Sequence, residues 1–239
     1  MNGREEAGSA ARRSLDAVGR RIREACEAAG RPPESVRLLA VGKTVAAERL
    51  LELAKAGQRE FGENYLQEAL DKQDRCAALA PGLRLDWHYI GPIQSNKTRA
   101  IAERFDWVHS VASERIARRL DDQRPATAGP LSVCLQVNID GEDTKSGCSP
   151  QDLPALAAVV ATMPRLRLRG LMAIPAPRAD VAGQRQAFAA VRALYEQLRE
   201  AGFALDTLSM GMSADLEAAV AEGATIVRIG TALFGERPA

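Results

Sequence analysis

Lys43 stands just beyond the apolar run at 37–41, within LLAVGKTV, and is one of few lysines, at 43, 55, 72, 97 and 145, in a chain whose cations are overwhelmingly arginine. Lysine can lose its proton whereas arginine cannot, so a strand-end lysine is either a nucleophile activated by desolvation or a solvated end. A second group of residues is shaped for an anion. In SMGMSADLEAAV, Ser209, Gly211 and Ser213 lead into a helical pattern, and TIVRI runs into Gly230 and Thr231. Glycine admits close backbone approach, and free N–H groups at a helix start favour phosphate, although ordinary capping and turn chemistry would use the same residues. Arg228 stands two residues before Gly230. Facing inward along a strand it could donate to a ring nitrogen of a phosphorylated cofactor; otherwise it would tie two strands through a carboxylate.

Other chemistries find less support. Cys26, Cys76, Cys134 and Cys148 are far apart with no CxxC pair, and His88 and His109 are the only histidines, so spacing assembles no metal site and the cysteines read as free buried thiols. Lysines and arginines number 32 against 31 acidic residues, a balance that implies neither nucleic acid nor an anionic membrane as partner. A small ligand is expected instead. The segment MNGREEAGSAARRSLDAVGRR lacks a signal-peptide core, and the longest apolar stretch, near 153–163, is too short to span a bilayer. The expected location is the cytoplasm.

The elements that must position these residues alternate. A leading amphipathic helix carries Leu15, Val18, Ile22 and Cys26 on one face and ends at Gly30 and the Pro32-Pro33 pair. Strand patterns then occur near 37–41, 59–62, 84–90, 107–110, 131–137, 166–172, 204–209 and 225–229, separated by helical patterns near 46–56, 66–80, 96–104, 113–123, 151–163, 180–201 and 214–222. Eight strand–helix units at 239 residues close most economically into an α/β fold, a single (β/α)8 TIM barrel with an extra N-terminal helix. A doubly wound open sheet is the alternative. No linker or short-period repeat interrupts the pattern, so residues 1–239 are expected to form one domain, with the last strand pattern followed only by a short tail. In such a barrel the active face lies at the C-terminal ends of the strands, and phosphates sit after strands seven and eight, where Lys43 and the two glycine-bearing loops fall.

A lysine after strand one, a cradle after strands seven and eight and an arginine between them resemble the barrels of the alanine racemase type. AVGKT (40–44), FGENYLQE (61–68), WHYIGPIQSNK (87–97), VHSV (108–111), QVNIDGEDTKSG (136–147), RGLMAIP (169–175), LSMGMSADLEAAVAEG (208–223) and VRIGTALFG (227–235) resemble, in order, the YggS/PROSC family of pyridoxal-phosphate homeostasis proteins. The resemblance implies a Schiff base on Lys43, a phosphate surrounded by Ser209, Met210, Ser213, Gly230 and Thr231, and Arg228 at the pyridine nitrogen. It also implies Asn64 beside the cofactor. His88 and Asn96 fall near the end of strand three, where a core histidine and a helix cap are the competing readings. Tyr89 and Pro92 depart from the family's wording, where aliphatic residues are expected. Lys145 either pairs with Glu142 or offers a second anchor for the aldehyde.

Two classes of function share Lys43: a carrier that sequesters pyridoxal 5'-phosphate and supplies it to apo-enzymes in vitamin B6 homeostasis, and an enzyme such as a racemase, decarboxylase or Schiff-base aldolase. Racemases of this barrel use a second, β-rich domain for their opposite-face acid, which this chain is not expected to carry. The expectation is the carrier, not an enzyme: a monomer whose partners are the cofactor and, transiently, enzymes that use it.

Overall fold

In the computed structural model, residues 3–142 and 146–235 are described, with side chains from Gly8 onward. Eight parallel strands close on themselves in sequence order. They are β1 (Arg37–Val41), β2 (Glu60–Glu63), β3 (Asp86–Tyr89), β4 (Trp107–Val111), β5 (Leu131–Gln136), β6 (Leu166–Met172), β7 (Thr207–Ser209) and β8 (Ile226–Ile229). Each is short and largely buried, especially toward its C-terminal end, as a parallel strand between a barrel core and outer helices must be. Closure is made by β8 against β1, from Arg37 beside Ile226 to Ala40 beside Ile229. This confirms the (β/α)8 barrel and removes the open sheet.

Before the barrel runs α1 (Gly3–Ala28), and between and after the strands lie α2 (Ala47–Lys55), α3 (Leu66–Leu79), α4 (Thr98–Arg104), α5 (Glu114–Gln123), α6 (Leu153–Ala161), α7 (Val181–Glu200), α8 (Leu216–Ala221) and α9 (Thr231–Phe234). Two starts are capped as their sequences suggest: Ser113 accepts from the Ile116 N–H, and Asp180 from the Gly183 N–H. Val18, Ile22 and Cys26 of α1 are buried in the large outer core that all the helices share with the strands. All four cysteines are free and buried. No helix among the described residues is long and apolar enough to cross a membrane.

Strand alternation divides the side chains between this outer core and the barrel interior. Leu39, Val41, Ile90 and Ile226 form one interior cluster, and Trp107, Cys134 and Met172 another. Leu39 pairs in register with Arg228, so the arginine shares its inward face. His88, beside Trp107 in register, stacks on the indole within the interior, the ring centroids 5.3 Å apart.

Candidate functional site

The interior opens at the C-terminal ends of the strands into a cavity of about 340 Å³, the size of a small-ligand site. Six of the residues singled out from the sequence line it: Lys43 after β1, Asn64 after β2, Ser213 after β7, and Arg228, Gly230 and Thr231 at the end of β8. Val41, Ile90 and Ile174 supply apolar wall. Ser209 and Met210 do not line it. β7 ends at Ser209, whose side chain is fully buried behind Arg228, and Met210 points into the outer core; the chain reaches the cavity at Met212.

Lys43 is half-buried, and its side-chain amine has no hydrogen-bond or ion-pair partner among the described residues, although its carbonyl accepts from the Thr44 hydroxyl at 2.6 Å. Its turn is unusual. Thr44 has φ of 63°, the only positive φ outside glycine among the described residues, and such a conformation costs on the order of 1–3 kcal/mol and persists only where its surroundings impose it. The surroundings here do. The Thr44 N–H donates to Glu68 Oε1 at 2.6 Å, and the Gly42 carbonyl accepts from Lys72 Nζ at 2.7 Å. Lys72 also donates to Glu63 Oε1 at 2.7 Å and Glu68 Oε1 at 2.9 Å. Burial pushes the Glu63 carboxyl up to about 7, against the pull of Lys72.

Arg228 is buried in the floor. It donates through one terminal nitrogen to the Ser209 carbonyl at 2.6 Å and hydroxyl at 3.0 Å, and through the other to the Ala173 carbonyl at 2.9 Å. Burial pushes its guanidinium down to about 10, opposed by the charge of Asp215, so it remains protonated near neutral pH. Beneath it, Ser209 Oγ lies 2.8 Å from His109 Nδ1, and His109 Nε2 lies 2.9 Å from His88 Nδ1. Arginine can only donate, so the Ser209 hydroxyl accepts from it and gives its own hydrogen to His109. That places the proton of each imidazole on Nε2, and the one on His88 faces Glu60 Oε2 across 3.9 Å. Both histidines are held well below their ordinary value, first by burial, then by neighbouring groups: His109 and Arg37 for His88, Arg228 and Arg37 for His109. They are neutral.

Groups able to bind an anion are present at the other loops. The backbone N–H groups of Ser213, Ala214, Thr231 and Ala232 have no acceptor among the described residues, and all but Ala232 belong to cavity-lining residues. Asn64 Oδ1 is buried with no hydrogen-bond partner, although the cavity wall passes beside it. Gly91 is needed there, since a Cβ on it would lie 2.1 Å from the Asn64 carbonyl oxygen. An amine without a partner, an orphaned amide oxygen, free N–H groups and an arginine donor fit a phosphorylated aldehyde with a ring nitrogen.

The remaining candidates fall elsewhere. His88 is a core residue, and Asn96 is exposed in the short turn Ser95–Lys97 ahead of α4, where it caps nothing. The two departures at Tyr89 and Pro92 answer each other: the Tyr89 hydroxyl donates to the Pro92 carbonyl at 3.1 Å. Lys145 lies outside the described residues. Sequence reasoning missed Glu63, Glu68 and Lys72 as a group, although Glu68 and Lys72 stand four apart on a helical pattern, a spacing that could have found them. His109, 100 residues from Ser209, gave no such signal.

The model of the alanine racemase N-terminal domain matches residues 14–238. A pyridoxal phosphate homeostasis protein of Pseudomonas aeruginosa is 63% identical over 220 residues, covering 92% of this chain and 93% of its own. Its Escherichia coli counterpart is 50% identical over 224 residues, with 94% and 95% covered. Among solved structures, PipY of Synechococcus elongatus with PLP bound superposes with a TM-score of 0.77 at 39% identity, covering 90% of this chain and all of that one, 100%. An alanine racemase of Clostridium difficile gives a TM-score of 0.77 at 15% identity, a likeness of fold alone, and the chain spans 58% of it.

Proposed function

The chain belongs to the family of pyridoxal phosphate homeostasis proteins, on the barrel of the alanine racemase N-terminal domain, and from that premise we propose that it binds pyridoxal 5'-phosphate in the cavity at Lys43, holds it there as a Schiff base and passes it to apo-enzymes. In this reading residues 1–239 are one cofactor-binding domain, a cytoplasmic monomer that turns over no amino acid at a substantial rate. One observation carries it: an unpartnered lysine, free N–H groups of two adjacent loops and a protonated arginine share a single cavity.

The cofactor, when bound, supplies an aldehyde carbon for an amine and a ring that withdraws electrons. The chain supplies the rest. Lys43 Nζ would act as the nucleophile toward that aldehyde, with loss of one water. The N–H groups of Ser213 and Thr231 donate to phosphate oxygens, and Gly230 keeps that approach clear of side chain. Asn64 Oδ1 accepts from a polar group of the ligand. Arg228, which keeps its protons, would donate to the ring nitrogen of a bound cofactor, and a ring nitrogen held that way would be a weaker electron sink than a protonated one. Ser209 acts from behind by holding Arg228. A site that binds tightly but withdraws electrons weakly suits storage and delivery better than turnover.

Borohydride reduction of the loaded protein, digestion and mass spectrometry test the reading. The adduct is expected on Lys43; an adduct on Lys145 alone would move the anchor. Transfer to an apo-enzyme is read by recovery of that enzyme's activity. Saturable turnover of alanine, serine, lysine, arginine or ornithine at roughly one per second, an ordinary enzymatic rate, followed by α-proton exchange in deuterated water, would replace the carrier with an enzyme.

A further inference from the structure

Both neighbours of Lys43 are held from outside the cavity, by three residues that do not line it. Lys72 is 4% exposed at its side chain and Glu63 0%, so this ion pair is buried behind the turn, not spread over the surface. The three ammonium protons of Lys72 are matched by three acceptors: the carbonyl of Gly42, Glu63 Oε1 and Glu68 Oε1. Glu68 then carries the connection onward to the Thr44 N–H. Gly42 packs directly on the pair, since a Cβ there would lie 2.6 Å from Glu63 Oε1. The residue before Lys43 is thus fixed by its carbonyl and the residue after it by its N–H, through one hub.

A buried ion pair is a poor device for stability, because well-packed apolar residues in its place are often as stabilising or more so. What it can do that apolar residues cannot is direct hydrogen bonds to chosen backbone atoms and hold a strained φ in place. Glu63 and Glu68 both belong to the segment FGENYLQE, in which only Asn64 reaches the cavity, so the two acids are otherwise without a role there.

We propose that Lys72, Glu63 and Glu68 are positioning residues for Lys43, a clamp that fixes the Gly42–Lys43–Thr44 turn so that the amine is aimed into the cavity. This rests on the reading of Lys43 as the cofactor anchor. The clamp acts on the direction and mobility of the amine, not on the phosphate or ring contacts, so its loss slows capture and weakens retention while pyridoxal 5'-phosphate still reaches the cavity.

The full-length protein, wild type and variants, is titrated with pyridoxal 5'-phosphate, the rate of borohydride-trapped adduct at Lys43 is measured, and the thermal midpoint of the cofactor-free protein is recorded. Glu68→Ala removes the acceptor of Thr44 and is expected to weaken binding and slow trapping about tenfold, the size of one charge-assisted hydrogen bond, with little change in the midpoint. Glu68→Gln keeps an acceptor oxygen and restores most of both. The double variant Lys72→Met with Glu63→Gln leaves no buried charge unpaired, so it retains the wild-type midpoint yet shows the same loss in trapping. Wild-type trapping in the double variant or in Glu68→Ala, or losses that merely follow a falling midpoint, overturn the clamp alone. Failure of the wild type to trap at Lys43 overturns the cofactor reading and the clamp with it. Should the double variant not fold, the Glu68 pair decides.

Discussion

Lys72 and Arg228 are both buried cations beside the cavity, and the molecule answers them in opposite ways. Lys72 meets two carboxylates and a carbonyl, which cancel its charge locally. Arg228 meets two carbonyls and a hydroxyl, with no carboxylate at ion-pair distance among the described residues, and feels Asp215 only at longer range. Carbonyls satisfy its N–H groups without neutralising it. A neutralised cation braces backbone, whereas an unneutralised one at a cavity floor leaves positive potential for a ligand to meet. Burial alone does not distinguish a cation that is neutralised where it sits from one whose charge is left open to the cavity.

The most severe way to probe that contrast is to remove the group between the two. Lys43→Ala is expected to abolish both the visible absorption band of the loaded protein and the trapped adduct, while the cavity keeps its anion-binding groups and so retains weak, non-covalent affinity. Spectra and equilibrium dialysis read the two separately.

Next come the cations themselves. Lys72→Met strands Glu63 without its counter-charge and is expected to cost about 3–5 kcal/mol of folding stability. Arg228→Leu removes only hydrogen bonds to neutral groups and should cost less, about 1–3 kcal/mol, yet change the absorption maximum of bound cofactor more. Urea unfolding and spectra compare them; a larger stability loss in Arg228→Leu would break the distinction.

A smaller effect is expected at Gly230, where a Cβ would lie 3.3 Å from the Val41 carbonyl oxygen, a tight contact that the β1 backbone must ease by a few tenths of an ångström, and where a larger side chain enters the anion's approach. Gly230→Val should weaken pyridoxal 5'-phosphate about a hundredfold, near 3 kcal/mol, and pyridoxal without phosphate far less. Equal losses for the two ligands in a titration would remove the phosphate from that loop.

The smallest effect is in pH dependence, and there the two sides oppose each other. His88 and His109 titrate below 6.5 in the folded protein, so the unfolded chain binds more protons below that value, and their contribution is present above pH 6.5 and lost as pH falls. Glu63 is raised from 4.5 to about 7, so the folded protein holds a proton that the unfolded chain releases, and its contribution is present below 4.5 and lost as pH rises through 7. Between pH 5 and 6.5 the two slopes partly cancel. Glu63→Gln removes the second, and the dependence of unfolding free energy on pH over that range should become steeper, roughly twofold by proton counting. An unchanged slope would mean that Glu63 is ionised in the folded protein throughout.

By itself the sequence determined what depends on local pattern. The run at 37–41 is β1 and that at 166–172 is β6, residue for residue, because an apolar stretch between turn signals reads alike in the chain and in the barrel. That Lys43, Gly230 and Thr231 would line the cavity was legible for the same reason, since each follows a strand by one or two residues and the cavity opens at the C-terminal ends of the strands. Tertiary structure alone decided what depends on the direction of a side chain or on distant partners. Ser209 and Met210 stand next to the cavity in sequence but behind it in space, because β7 ends facing the interior below the mouth and the next residue turns outward. Lys72 was one lysine among five until β2, α3 and the turn after β1 brought three acceptors to it. His109 meets Ser209 across 100 residues because closing the barrel turns the inner faces of strands four and seven toward one narrow interior, which no local pattern encodes.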